Sequence, residues 1–316
     1  MPQALITFDL AAHFIARLGE QYPQLELVQC TDREQILHHL PRTEILLTFF
    51  LCTRRMLDAA PQLKWIQAIS AGVDYMALDE IRRRGILLTN GRGIHRIHMA
   101  EFAIAAMINL ARGFHTMFRN QLQKKWDRDV PQAEIYGATL GILGLGAIGG
   151  EIAAKAAMMG MRVIGVKRNP APLADVETVY GPEQMDQVFQ QSDYLINLLP
   201  STPDTEKMVD RHLFNQMKPT ACFINIGRGR TVNEPDLIEA LQTRRIKAMV
   251  SDVYYEEPLP ADSPLWDLDN VILAPHICGA SPRYHERAME IMDHNLAVYF
   301  TGRGEMINVV DLAAGY

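Results

Sequence analysis

The 316-residue sequence has few cysteines, no long apolar run and no excess of positive charge, and each shortage removes a class of function. Cys30, Cys52, Cys222 and Cys278 stand far apart with no C-x-x-C pair, which suits reduced thiols better than a disulfide or zinc framework. The longest helical apolar stretch, 102–111, is interrupted by Asn109 and falls well short of the ~20 residues that cross a bilayer. The opening MPQALITFDL has no basic n-region and no small-residue cleavage site, so a cytoplasmic protein without membrane contact is expected. A net charge of −6 with no block of like charge offers nucleic acid nothing to bind. What is present is ordinary for a globular protein, 48% apolar and 22% charged residues, and the length favours two domains.

Short apolar runs alternate with polar helical segments. Residues 5–8, 25–30, 44–49, 63–69 and 86–90 read as strands. Between them, stretches such as LAAHFIARLGEQY repeat apolar residues (Ala11, Phe14, Ile15, Leu18) at helical spacing. A segment over 99–126 carries apolar residues on nearly every side of its first three turns, which predicts one long buried helix. The alternation restarts at TLGILGLG and MRVIGV and runs on through YLINLLP, ACFINIG, KAMVSDVY and VILAPHI. Such alternation predicts an α/β fold, with two doubly wound parallel-sheet domains.

Gly144, Gly146 and Gly149, with Ala147 and Ile148 among them, make a G-x-G-x-x-G turn between an apolar strand and a helical stretch. In that setting the first glycine permits a tight turn and the second lets backbone approach a pyrophosphate. The third lets helix and strand pack closely, and the helix N-terminus adds N–H groups and a positive dipole end. The pattern predicts a dinucleotide site. A site that prefers NAD places an acid near the end of the second strand, to hold the ribose 2′-hydroxyl. Lys167 and Arg168 stand there instead, and both would attract a 2′-phosphate, Arg168 through a two-pronged contact. NADP(H) is therefore expected over NAD(H). NAD(H) stays open, since two cations also suit a solvated turn.

Three later segments, FINIGRGR, VSDVYYEEPLP and LAPHICGAS, lie at the ends of expected strands, where ligands of open α/β sheets collect. They carry Arg228, Asp252, Glu257 and His276. Singly, each suits a surface or core role. Together they suit the reduction of a 2-oxo acid, which needs a cation for the carboxylate, a donor for the carbonyl oxygen and a proton. Arg228 can grip the carboxylate and polarise the carbonyl. His276 can supply the proton, and Glu257 can orient the imidazole and favour its charged form. Asp252 can accept from a nicotinamide carboxamide.

The chain carries, in order, SAGVD (70–74), GILGLGAIG, LLPSTPDT (198–205), INIGRG, DVYYEEPLP and PHI, and these four residues stand in the last three. The order of these motifs resembles the D-isomer-specific 2-hydroxyacid dehydrogenase family, from the first strands to INVVDL (307–312). The resemblance puts the family's catalytic arginine, glutamate and histidine on Arg228, Glu257 and His276. It puts the substrate-carboxylate loop on Ser70, Ala71, Gly72 and Val73, and the nicotinamide partner on Asp252. It also makes Leu199, Pro200, Thr205, Ile226, His276 and Gly279 expected cofactor contacts. It implies a flavodoxin-like substrate domain, 1–97 with 288–316, and an inserted Rossmann domain, 98–287. Substrate would bind in a cleft that closes before hydride transfer, and the long helix would contribute to a homodimer.

Departures from the family pattern matter too. Lys167 replaces the acid common in NAD-using relatives. Cys278 reads as a packing residue. His95 and His98 make an H-x-x-H with no third ligand or general-base carboxylate at the expected offset, so no metal is expected. His95, within GIH, reads as a cleft-lining residue. Trp65 and Trp126 read as core or interface aromatics. TRRM (53–56) reads as a solvated helix start rather than a phosphate site.

Glyoxylate and hydroxypyruvate are the leading substrates expected. The chain stops soon after INVVDL, leaving no room for a regulatory domain, which argues against 3-phosphoglycerate. Two other readings stay open. One is NAD-dependent oxidation of a D-2-hydroxy acid or of 3-phosphoglycerate. The other is a non-catalytic dinucleotide-sensing regulator, which the intact Arg228, Glu257 and His276 disfavour. Substrate size depends on Phe49, Phe50, Leu51 and residues of a partner subunit.

Overall fold

A computed structural model describes residues 1–49 and 52–315, so Phe50 and Leu51 lie outside the described residues. The chain forms two compact units, Met1–Ile94 with Ser281–Tyr316, and His95–Ala280. The junctions expected at 97/98 and 287/288 would cut through helices Arg96–Arg112 and Tyr284–Thr301. The chain passes instead through the loops before those helices.

In the first unit, β1 (Gln3–Ile6), β2 (Glu26–Gln29), β3 (Thr43–Thr48), β4 (Trp65–Ala68) and β5 (Leu87–Thr89) form one parallel sheet. Their order, β2-β1-β3-β4-β5, is the flavodoxin-like one. Every residue of β1 and β4 is buried, as expected of a parallel sheet covered on both faces. Gln67 is tolerated inside β4 because the Thr89 hydroxyl and the Asn295 amide both donate to its Oε1, at 2.8 and 2.9 Å. The second of these bonds ties the C-terminal helix to the N-terminal sheet. Trp65 is fully buried, with its indole N–H donating to Thr89 at 2.8 Å.

The second unit holds β6 (Thr139–Leu143), β7 (Arg162–Val166), β8 (Thr178–Tyr180), β9 (Tyr194–Asn197), β10 (Cys222–Asn225), β11 (Ala248–Ser251) and β12 (Val271–Leu273). All are parallel, in the order β12-β11-β10-β9-β6-β7-β8. The chain enters at β6, runs outward to β8, and returns to β9 on the other side. That reversal makes the β6/β9 boundary the switch point at which Rossmann sheets bind ligand. Strand β8 was not foreseen: three half-buried edge residues are too few to show a period.

The single helix predicted over 99–126 is two. Helix Arg96–Arg112 buries Met99, Ala100, Ala103, Ala106, Met107, Leu110 and Ala111, and Gly113 ends it at φ +64°. A Cβ there would stand 2.7 Å from a Val130 methyl, so glycine is needed for its space as well as its dihedral. The second helix, Phe114–Leu122, buries no residue. Trp126 beyond it is 88% exposed, so it is not a core aromatic. Among the described residues no helix is long and apolar enough to cross a membrane.

Candidate active site

Strand β6 runs into Gly144 at φ +102°, a dihedral that side chains with a Cβ rarely adopt. A Cβ on Gly149 would sit 2.4 Å from the Gly144 carbonyl oxygen, so the helix Ala147–Met158 starts this close to the strand only because of glycine. Gly146 differs: nothing lies within 4 Å of where its Cβ would be. That leaves open space over the exposed Gly146 and Ala147, the half-buried Ile148 and the unpaired N–H groups of the first helical turn. A pyrophosphate needs this room and these donors, and the turn fits a dinucleotide.

Lys167 and Arg168 follow β7 directly, the first half-buried and the second exposed. The Lys167 N–H donates to the Tyr180 carbonyl at 3.0 Å, so the unforeseen β8 sets the backbone that carries the cations. Leu199, Pro200 and Thr205 lie in the loop after β9. The Leu199 N–H donates to Asn197 Oδ1 at 3.1 Å. The buried Thr205 hydroxyl donates to the Pro200 carbonyl at 2.6 Å and accepts the Thr202 N–H at 2.9 Å, so it shapes the loop from within. Ile226 is buried just past β10.

Arg228, Glu257 and His276 follow β10, β11 and β12, which are neighbours in the sheet, so parallel pairing delivers all three to one end. His276 Nδ1 stands 2.6 Å from Glu257 Oε2, and the other Glu257 oxygen accepts the Tyr254 N–H at 3.0 Å. The bond to Glu257 raises the His276 pKa above the ordinary imidazole value, against burial and the Arg228 charge, which lower it. Burial by itself would raise the Glu257 pKa. The His276 bond, the Tyr254 N–H and the charges of His276 and Arg228 outweigh it and hold that carboxyl below its usual range. Arg228 thus acts on both members of the pair. With Nδ1 donating to the carboxylate, Nε2 is the nitrogen available for proton transfer.

His276 itself adopts φ +54°, a left-handed conformation that few residues other than glycine enter. Asp252, fully buried, holds the turn that follows: its two oxygens accept the N–H groups of Ile277 at 2.8 Å and Cys278 at 2.9 Å. Expected to meet a nicotinamide, Asp252 has this loop as its partner in the structure. Cys278 is buried, and burial followed by the Asp252 charge pushes its thiol far above the usual range, as suits a packing residue. Gly279 is half-buried and faces His95 and His98.

Sequence reasoning missed the scaffold beneath Arg228. The buried Asn197 amide donates to Asn225 Oδ1 at 3.0 Å and to the Thr231 hydroxyl at 2.7 Å. That hydroxyl donates in turn to the Arg228 carbonyl at 2.7 Å. Gly229 is required as well, because a Cβ there would stand 1.9 Å from the Tyr254 carbonyl oxygen. The available signal was an asparagine at the end of each of two otherwise apolar strands.

In the first unit, Ser70, Ala71, Gly72 and Val73 follow β4. The Ser70 hydroxyl lies 2.7 Å from the Phe49 carbonyl and 2.9 Å from that of Gly72, and the Asn90 amide donates to the Ala71 carbonyl at 2.8 Å. These bonds set the turn; among the described residues, the N–H groups of Ala71, Gly72 and Val73 have no acceptor. Arg54 and Arg55 are exposed at a helix start capped by Thr53. Among the described residues, no three His, Cys, Asp or Glu side chains converge as metal ligands.

Residues 104–278 match the family model of the D-isomer specific 2-hydroxyacid dehydrogenase NAD binding domain. The chain is 34% identical to glyoxylate/hydroxypyruvate reductase A of Yersinia enterocolitica, over 83% of this chain and 85% of that protein. It is 30% identical to a D-3-phosphoglycerate dehydrogenase of Methanocaldococcus jannaschii, over 99% of this chain but 60% of that longer protein. Among solved structures, an NADPH-dependent glyoxylate/hydroxypyruvate reductase of Sinorhizobium meliloti, in complex with NADP and sulfate, is similar along the full length of both chains. The TM-score is 0.84 and the identity 27%.

Proposed function

Since the chain belongs to the D-isomer-specific 2-hydroxyacid dehydrogenase family and is an NAD(P)-dependent oxidoreductase, we propose that it reduces a small 2-oxo acid to the D-2-hydroxy acid, with NADPH as donor. Glyoxylate and hydroxypyruvate head the substrates. The observation that carries this reading is the 2.6 Å pair of His276 and Glu257 under the influence of Arg228.

The glycine turn of Gly144, Gly146 and Gly149 would hold NADPH, which when bound would supply a hydride for C2 of the oxo acid. The Arg228 guanidinium holds the substrate carboxylate and polarises the carbonyl. His276 Nε2 gives its proton to the carbonyl oxygen as that oxygen becomes negative. Glu257 keeps the ring oriented and its cationic form available beforehand. The Asp252 carboxylate keeps the His276 turn in place.

A panel of 2-oxo acids, 3-phosphoglycerate in the reverse direction, and both cofactors tests this reading by kcat/KM. Glyoxylate and hydroxypyruvate with NADPH should lead. A purified protein that binds the cofactor yet consumes none with any oxo acid would point to a dinucleotide sensor instead. Likeness to a D-3-phosphoglycerate dehydrogenase is the reason to keep that substrate in the panel.

The preference for NADPH is inferred from Lys167 and Arg168, the two cations that directly follow β7, where an NAD site would carry an acid. Changing either to alanine should raise KM for NADPH by about tenfold, the scale of one lost charge-assisted contact, and leave KM for NADH nearly unchanged. Equal losses with both cofactors would defeat the assignment. Cytoplasmic residence accords with four buried free thiols. A homodimer belongs to the same reading, because Phe118, Leu122 and Trp126 are 61%, 86% and 88% exposed and a second copy would cover them. Sedimentation as a monomer at micromolar concentration would refute it.

A further inference from the structure

We propose that His98 is a positioning residue for the proton donor, gripping the far end of the loop that carries His276. The proposal rests on the reading of His276 given above. The loop after β12 is held at three successive residues. Asp252 takes the N–H groups of Ile277 and Cys278, and His98 Nε2 lies 2.9 Å from the Gly279 carbonyl oxygen. A carbonyl can only accept, so Nε2 carries hydrogen and the His98 tautomer is set.

The grip comes from a rigid base. His98 stands in the first turns of helix Arg96–Arg112, whose next residues, Met99, Ala100 and Ala103, are buried in the core of the second unit. His95 stands beside His98 against the same residue of the loop. Its ring lies 5.5 Å from that of His98, and a Cβ on residue 279 would come within 3.3 Å of its Cδ2, so glycine lets the loop lie against the pair. Asp252 acts on the amide side of the loop and His98 on the carbonyl side. Neither can do the other's work.

His276 sits three residues away in a left-handed conformation, with its Nδ1 2.6 Å from Glu257 Oε2. Without the Gly279 bond the loop can turn, the imidazole swings from the carboxylate, and proton delivery loses its geometry. Glu257, Arg228 and Asp252 are the charged groups that act on His276, so loosening shows first as a weaker Glu257 influence.

The test compares wild type with H98F, which keeps a ring but has no donor, and H98Q, whose amide N–H reaches to a similar depth. Titration of His276 by NMR, its signals assigned by their loss in H276Q, needs no substrate. In H98F the His276 titration should move down toward that of an ordinary imidazole, and kcat for 2-oxo acid reduction should fall by about tenfold, with KM for NADPH little changed. H98Q should restore both to within about twofold, as a shared donor function requires. Should H98F not fold, H98A takes its place. A His276 titration identical in wild type and the donor-less variant overturns the proposal, as does an H98Q protein as impaired as H98F. If wild type reduces no 2-oxo acid, the reading of the reaction fails, and the NMR titration alone decides the role of His98.

Discussion

Replacing His276 by glutamine will lower kcat for 2-oxo acid reduction by about a thousandfold, the size of a lost general acid, while cofactor binding stays close to wild type. Glutamine keeps a donor near Nε2 but has no proton to give. The wild-type pH profile carries the same information with a definite sign. Reduction needs protonated His276, so kcat is highest at low pH and falls as pH rises through the pKa of that imidazole. The Glu257 bond raises that pKa, which puts the fall above the ordinary imidazole value of roughly 6.5. E257Q removes the opposite charge and the strong acceptor together, so the fall should move to lower pH. Matching profiles for wild type and E257Q would remove His276 from the proton-donor role.

R228A should lower kcat/KM by about a thousandfold or more, through loss of both carboxylate binding and carbonyl polarisation. R228K should recover only part of this, because an ammonium is a point charge and cannot hold a carboxylate through two parallel N–H donors. The Arg228 charge depresses the His276 pKa. R228A should therefore move the fall in rate to higher pH, opposite to the shift caused by E257Q. Opposed shifts would establish that the three groups form one electrostatic unit. Shifts in the same direction, or full activity in R228K, would show that Arg228 serves only as a distant cation.

Much of this site was legible along the chain. The glycine turn could be read because each glycine answers a steric demand within a few residues of itself, and the clash of a Gly149 Cβ with the Gly144 carbonyl is that demand in numbers, 2.4 Å. Arg228, Glu257 and His276 could be read as a set because strand ends in a parallel sheet converge. Asp252 was noticed as a polar residue in the right place, but its partners at positions 277 and 278 lie on another strand's loop. The bonding of Asn197, Asn225 and Thr231 was missed for the same reason. His98 looked like half of a metal motif, and only its contact with Gly279 gives it a task.

The sequence by itself determined two parallel sheets, a dinucleotide turn with cations at its far strand, and three residue types suited to hydride chemistry on a 2-oxo acid. Those follow from period, local sterics and side-chain chemistry, which act over a few residues. Tertiary structure decided the break at Gly113, the exposure of Trp126, which nitrogen of His276 meets Glu257, and the contacts of Asp252 and His98 with the loop that follows. Each of these depends on which distant groups come within hydrogen-bond or van der Waals reach, and the order of residues along a chain does not state that.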